Sequence, residues 1–155
     1  MPSVEEFDFE LQQIQVSLHS SVPEEIRKRI TTTRNLAVYG AFSYDFFAVS
    51  AYWSLTCIEM ALREKFKERN LGPTKRMTLK RLLDWAAHEG LWASHLASSD
   101  AIRHLRNSFA HPKDFNTVLT PGMAHDVFQM AVEVVNHLWP LGAVVSETDF
   151  DRREV

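Results

Sequence analysis

The chain has 155 residues, a length at which one hydrophobic core is usual and two ordinary domains are not. Hydrophobic residues make up 45% of it and charged residues 24%, which excludes the compositions of disordered and fibrous proteins. The formal net charge of −3 argues against a protein that binds nucleic acid through a basic surface over most of the molecule.

The N-terminal segment, residues 1–20, fits two patterns. Helical spacing relates four of its apolar residues, Phe7, Leu11, Ile14 and Leu18. The alternation from Phe7 through Phe9 to Leu11 is instead typical of a strand. We favour the helix, and we treat the segment as an N-terminal extension of the domain.

A second helix is predicted from Pro23 to Tyr39, before a break at Gly40. Ser21 and Glu24 have the spacing of a capping box, in which a serine oxygen and a glutamate satisfy free backbone amides at a helix N-terminus. The predicted buried face of this helix contains Ile26, Ile30, Thr33 and Ala37.

The strongest helical pattern runs from Ser43 to Arg69. Two apolar stripes have helical spacing along it, so most of its circumference is apolar and we expect it at the centre of the fold. The first stripe contains Phe47, Ala51, Leu55, Ile58, Leu62 and Phe66, and the second contains Phe46, Val49, Trp53, Cys57 and Met60.

A polar stripe remains on the same helix and contains Asp45, Tyr52, Thr56, Glu59 and Arg63. Glu59 precedes Arg63 by four residues, a spacing that favours a side-chain ion pair. Glu59 is unusual because it stands between two apolar residues near the middle of the helix. Two interpretations remain open: a half-buried structural ion pair, or a carboxylate that holds a site residue in place.

Three shorter helical segments follow. Gly72 and Pro73 end the long helix. Thr78 is predicted to cap a short helix whose buried face contains Leu79, Leu82, Leu83 and Ala86. A serine at 98–99 is predicted to start the next helix. The last helix is predicted to start at Thr120, which a proline follows, and to bury Met123, Val127, Ala131, Val134 and Leu138. The predicted fold class is therefore all-α, an up-and-down bundle of four to five helices.

We assign residues 1–155 to a single domain with a polar tail at 146–155. The N-terminus has neither the basic nor the apolar region of a signal peptide, and polar residues interrupt the longest apolar stretch, 42–62. We therefore expect a cytoplasmic protein without membrane contact. A lone cysteine excludes an intrachain disulfide, and no two histidines have metal-site spacing with a carboxylate, so we expect no metal and no other cofactor.

Positive charge is concentrated between Arg63 and Arg81, where eight basic residues accompany two acidic ones. Such a run is often only a solvated helix end and loop. Its second half is nevertheless a candidate surface for the RNA backbone. The residues of that candidate surface are Lys75, Arg76, Lys80 and Arg81.

A second cationic cluster lies within residues 103–113. On an ideal helix Arg106 and His111 would be about 140° apart, so they could not face one site. Pro112 disfavours helical geometry at His111, and we predict that the chain leaves the helix after residue 107 or 108 and brings the imidazole beside the guanidinium. Such a pair can cleave a phosphodiester, since arginine stabilises negative charge and histidine transfers a proton. The alternative is a helix end whose histidine only bonds a backbone carbonyl.

The segment from Leu105 to Pro112 resembles the signature of the HEPN (higher eukaryote and prokaryote nucleotide-binding) family, in which an arginine is followed by a polar residue and, a few positions later, by a histidine. The segment from Ile58 to Glu64 is similar to the family's second core helix, which commonly carries a glutamate. The resemblance covers residues 23–139, a HEPN-like core.

The resemblance implies a homodimer in which two copies of the motif face one cleft. It also implies a metal-independent endoribonuclease, as in toxin or antiphage systems, or alternatively a non-catalytic interaction or regulatory module. Arg106 would bind the scissile phosphate, His111 would act as general acid or base, and Asn107 would position either of them. Glu59 would orient Arg106 from the neighbouring helix.

Two further expectations complete this interpretation. Arg103 and His104 are the supporting residues, because they add positive charge beside the motif. No second domain is fused to the helical one, so any antitoxin or regulatory protein would be a separate chain.

Overall fold

The computed structural model describes residues 3–69, 71–92, 98–110 and 119–142. Six helices and no strands form in these residues, so the all-α prediction is confirmed. The expectation of four to five helices is wrong, because the N-terminal segment adds a helix. The helices are α1 (Val4–Val16), α2 (Glu24–Tyr39), α3 (Asp45–Glu68), α4 (Leu79–His88), α5 (Ser99–Ala110) and α6 (Pro121–Leu138). Across the described ranges, none is long and apolar enough to span a bilayer.

Helix α1 forms because its first turn is capped and one of its faces is buried. The Ser3 hydroxyl accepts a hydrogen bond from the backbone amide of Glu6, and the Glu6 carboxylate accepts one from the backbone amide of Ser3. Phe7 and Leu11 lie in the same core as residues from the other helices, whereas Phe9 is exposed. The N-terminal extension is thus part of the bundle. The polar tail lies outside the described residues.

Helix α2 buries the four predicted residues Ile26, Ile30, Thr33 and Ala37. The capping box predicted before it is wrong, because no side chain caps this helix. The Ser21 hydroxyl instead donates to the Trp139 carbonyl at 3.0 Å, and the His19 backbone amide donates to Asn136 at 2.8 Å. The turn before α2 is therefore fastened to the end of α6 by tertiary hydrogen bonds.

Helix α3 is the central element, as predicted, and packs against α2, α4, α5 and α6. The first apolar stripe lies in the core from Phe47 to Leu62. The second stripe is largely not buried: Cys57 is enclosed, but Phe46 and Val49 are exposed. Helical spacing predicts both stripes, but it could not show that no helix of the described residues covers the start of the second stripe.

The caps of α4 and α6 agree with their predictions. The Thr78 hydroxyl accepts from the amide of Arg81, and the Thr120 hydroxyl accepts from the amide of Met123. Helix α4 buries Leu79, Leu82, Leu83 and Ala86, as predicted. In α6 the predicted residues Ala131, Val134 and Leu138 are buried, but Met123 is exposed. Phe128, which lies outside the predicted face, is fully enclosed.

Gly40 joins α2 to the turn before α3 and lies directly against an aromatic ring. A Cβ atom at this position would be 2.4 Å from the ring of Phe47, which is itself buried. Phe7 and Tyr44 pack edge-on against the same ring, with centroids 5.8 and 5.2 Å away. The ring therefore has little freedom to move, and glycine is required by the close approach.

We expect Gly40→Ala to lower the free energy of unfolding by about 1–3 kcal/mol, because the added methyl group overpacks the core. The matched control is Gly122→Ala in α6, where the nearest atom to an added Cβ is 3.9 Å away. There alanine should be neutral or stabilising by up to about 1 kcal/mol. Urea denaturation of both variants measures the difference, and equal stabilities would contradict this account of Gly40.

Cys57 is buried in α3, with its sulfur 3.5 Å from the hydroxyl of Thr33. Burial raises the pKa of the Cys57 thiol to about 11 from an ordinary 9.0. A raised pKa means that the thiol's contribution to stability is complete below pH 9 and is lost as the pH rises towards 11.

The stability difference between the wild type and Cys57→Ala should therefore shrink by about 1 kcal/mol from pH 8 to pH 10, as the unfolded thiol ionises and the folded one does not. Urea denaturation at the two pH values measures it. The paired comparison cancels the titration of lysine and tyrosine side chains, which both proteins share. A difference that stays constant would show that the thiol is accessible to water.

Candidate functional site

Glu59 is the centre of a charged cluster on the polar stripe of α3. Its side chain is only 16% exposed, and one carboxylate oxygen lies 2.7 Å from Nη2 of Arg63, so the predicted pair is present. The other oxygen lies 3.5 Å from Nη2 of Arg106, which belongs to α5. One half-buried carboxylate is thus shared by two guanidinium groups from different helices.

Arg63 extends this cluster to the loop between α3 and α4. Its Nη1 donates to the carbonyl of Thr74 at 2.5 Å, and its Nη2 donates to the carbonyl of Met77 at 2.8 Å. These bonds, together with Glu59, hold the loop that carries Lys75 and Arg76 against α3. The cationic loop and Arg106 are therefore connected through one ion-paired network.

Arg106 lies on the wall of an open pocket with a volume of about 470 Å³. Its side chain is 34% exposed, and its Nε donates to no atom of the described residues. The pocket is lined by α2, α3 and α5, and its charged side chains are Arg29, Glu59, Arg63, Glu64, Lys67 and Arg106. Four cations thus face two carboxylates, so the pocket favours an anion although the whole chain is acidic.

The predicted exit from the helix after residue 107 or 108 is wrong, because α5 continues through Ala110. The Ser108 hydroxyl donates back to the carbonyl of His104 within the helix. Pro112 restricts chiefly the residue before it, which allows a helix as far as Ala110. His111 and Pro112 lie outside the described residues, so the predicted approach of His111 to Arg106 stays a prediction.

The other predicted residues of α5 are accessible. Asn107 and His104 are exposed, and Arg103 pairs with Asp100 at 3.3 Å. Within the described part of the chain, none of Arg103, His104 and Asn107 lines the pocket of Arg106. Arg106 is the residue of this motif that the structure brings to Glu59.

The basic run from Arg63 to Arg81 divides into two parts. In the first part the cations are ion-paired within the fold, as shown by Arg63 with Glu59, Lys65 with Glu68, Lys67 with Glu64 and Arg69 with Glu89. The second part is exposed and makes no ion pair within the described ranges; it consists of Lys75, Arg76, Lys80 and Arg81. Three of these, at 75, 76 and 81, line a second open pocket of about 540 Å³.

Sequence reasoning missed Arg29 as a site residue. Its guanidinium carbon lies 4.4 Å from the centroid of the Trp53 ring, and both residues line the pocket of Arg106. The neighbouring Tyr52 belongs to the polar stripe of α3 and lines the pocket as well. Arg29 directly precedes the buried Ile30, so the pattern of α2 gave no signal that it would face α3.

No group of three or more side chains that could hold a metal ion occurs in the described residues. Comparisons of the chain with family models, curated proteins and solved structures found no match. The resemblance to the HEPN family therefore rests on the motif that begins at Arg106 and on the helix that carries Glu59.

We expect Glu59→Gln to lower the free energy of unfolding by about 1–2 kcal/mol, because two half-buried guanidinium groups lose their shared counter-charge. Glu64→Gln is the matched control, since it removes the same charge from the same pocket but from an exposed pair with Lys67. Its cost should be below about 0.5 kcal/mol. Thermal and urea unfolding measure both; equal costs would mean that Glu59 is not the centre of the cluster.

Proposed function

We propose that this protein is a metal-independent endoribonuclease of the HEPN type, with an up-and-down helical bundle and a site centred on Arg106. The observation that carries the proposal is the position of Arg106, which is paired with Glu59 and still open to a pocket with excess positive charge. A guanidinium held in this way is suited to a phosphate, because its remaining N–H groups can form charge-assisted hydrogen bonds.

In the proposed reaction Arg106 binds the scissile phosphate and stabilises the charge that develops on it. His111 acts as general acid or base on the 2′-hydroxyl or the leaving oxygen, a role that suits imidazole because this group can both accept and donate a proton near neutral pH. Asn107, which is exposed and next to Arg106, positions the phosphate or the histidine. Glu59 acts as a positioning residue, and Arg103 and His104 add positive charge along α5.

The exposed cations Lys75, Arg76, Lys80 and Arg81 are proposed to contact the RNA backbone. The loop that carries Lys75 and Arg76 is fastened to Arg63 and so to the carboxylate that holds Arg106. Lys80 and Arg81 follow in the first turn of α4. Contacts of this kind are independent of base sequence and weaken with salt. They would align the strand with the pocket without deciding where it is cut.

The proposal includes a homodimer with both motifs facing one cleft, a cytoplasmic location, and a role as a toxin or antiphage effector. A ribonuclease of this kind needs control, and we propose that a separate antitoxin or regulatory protein supplies it. The mechanism requires no metal or other cofactor, because proton transfer and charge stabilisation both come from side chains.

A second candidate function is a non-catalytic interaction module. It is favoured by three exposed aromatic side chains between the end of α2 and the first turn of α3: Phe42, Tyr44 and Phe46. Contiguous exposed aromatic residues are typical of protein-binding surfaces. Under this alternative the wild type would leave RNA intact, and Phe42→Ser would abolish partner binding that His111→Ala leaves unchanged.

The ribonuclease proposal predicts cleavage of single-stranded or structured RNA in the presence of EDTA. Arg106→Ala should lower kcat/KM by about 100-fold or more, because it removes a donor to the phosphate. His111→Ala should have an effect of about 100- to 10,000-fold through the loss of proton transfer. Gel-resolved cleavage of end-labelled RNA measures these changes.

Arg27→Ala is the control, because Arg27 is exposed on α2 and lines neither pocket. It should cleave at the wild-type rate, and all variants should retain a folded circular-dichroism spectrum. A wild type that leaves a varied set of RNAs intact, or an Arg106→Ala variant as active as the wild type, would refute the proposal.

A further inference from the structure

The pocket beside Arg106 has a second half that the cleavage chemistry does not use. Its wall is formed by Tyr52 and Trp53 of α3 and by Arg29 of α2. The Arg29 guanidinium lies over the Trp53 ring, 4.4 Å from its centroid. A cation stacked on an indole is oriented before any ligand arrives, and its edges remain free to donate hydrogen bonds.

The charges of the pocket are not equally neutralised. Arg63 is satisfied by Glu59 and two carbonyls, and Lys67 pairs with Glu64 at 3.4 Å. Arg29 forms no ion pair within the described ranges, and Arg106 shares a carboxylate that is closer to Arg63. The excess positive charge is therefore carried by Arg29 and Arg106, which line the same pocket from different helices.

Tyr52 supplies an aromatic ring to this half of the pocket. It is half-buried on the pocket wall, and its hydroxyl makes no hydrogen bond within the part of the chain that the structure describes. A tyrosine on a pocket wall supplies an aromatic ring on which a base can stack, and here its hydroxyl has no partner among the described residues. Aromatic rings beside cations are the combination with which proteins bind unpaired nucleotides.

We propose that this half of the pocket is a subsite for one unpaired nucleotide of an RNA strand. The base stacks on Tyr52, and the adjoining phosphate is bound by Arg29. The pocket volume of about 470 Å³ is within the range of sites that enclose a small organic ligand. The inference rests on the proposed function, because the next phosphate of the same strand is the scissile phosphate that Arg106 binds.

The subsite selects single strands for a physical reason. A base in a duplex is already stacked on both faces and paired at its edge, so it reaches an aromatic wall only after it leaves the helix. For an unpaired base the free-energy cost of the same contact is lower, because it has no pairing to break. The site would therefore discriminate by strand structure, whereas the exposed cations at 75–81 would bind any RNA backbone.

The test is binding, measured separately from cleavage. The measurement is fluorescence anisotropy with a labelled single-stranded RNA of eight nucleotides. It is made on the His111→Ala variant so that the strand stays intact. The Kd for the single strand should be at least about tenfold lower than the Kd for the blunt duplex of the same sequence. Tyr52→Leu should raise the single-strand Kd by about tenfold, Tyr52→Phe should restore most of the affinity, and Arg29→Ala should raise the Kd and reduce its salt dependence.

Tyr39→Leu is the matched control, because Tyr39 is an exposed tyrosine of α2 that lines neither pocket. It should bind like the parent protein. Adenosine monophosphate is the competing probe: if it binds as tightly as the strand, the pocket is a mononucleotide site and the RNA subsite is refuted. Equal affinity for the single strand and the duplex, or unchanged binding by Tyr52→Leu, refutes it as well.

These outcomes are separable from the ribonuclease proposal. Cleavage by the wild type with normal binding by Tyr52→Leu would retain the enzyme and remove the subsite. Binding that depends on Tyr52, with no cleavage by the wild type, would retain the subsite and remove the enzyme. If both hold, Tyr52→Leu should raise KM more than it lowers kcat, because the residue contacts a base and not the reacting phosphate.

Discussion

The candidate site depends on one half-buried carboxylate. Glu59 lies on the helix that carries the core, and a charge in that position is costly unless cations neutralise it. Arg63 and Arg106 provide the neutralisation from α3 and α5, and Arg63 also binds two carbonyls of the loop before α4. Helix α3, helix α5 and the loop before α4 are thereby connected through Glu59. The stability of this region is therefore tied to the position of Arg106.

Under the proposed function, the same interaction prepares Arg106 for a phosphate ligand. A free arginine side chain loses rotamer freedom when it binds a phosphate, whereas a side chain already paired with Glu59 has lost part of that freedom during folding. The pair at 3.5 Å uses one edge of the guanidinium, and a third of the side chain remains exposed. An arginine of this kind is oriented by the protein but is not saturated by it, which is the condition for electrostatic stabilisation of a reacting group.

Local charge, not net charge, describes what the protein can bind. At physiological ionic strength the electrostatic screening length is about 8 Å, so the carboxylates elsewhere on the chain contribute little inside the pocket. Within it, the excess charge lies on Arg29 and Arg106, and Arg29 is additionally ordered by Trp53. A chain with a formal charge of −3 can therefore present a cationic pocket to an anionic ligand.

Much of the fold could be predicted from the sequence because helices, caps and buried faces depend on residues within a few turns. The buried faces of α2 and α4 and the caps at Thr78 and Thr120 were predicted for this reason, as was the pairing of Glu59 with the arginine one turn later. The tertiary structure decided what depends on which helices become neighbours. In the folded chain Ser21 bonds a carbonyl at the end of α6 and does not cap α2. The start of an apolar stripe on α3 is exposed, and Arg29 lies over an indole ring. Periodicity gives the face of each helix but not the partner opposite that face, because the partner is set by packing between segments distant in the chain.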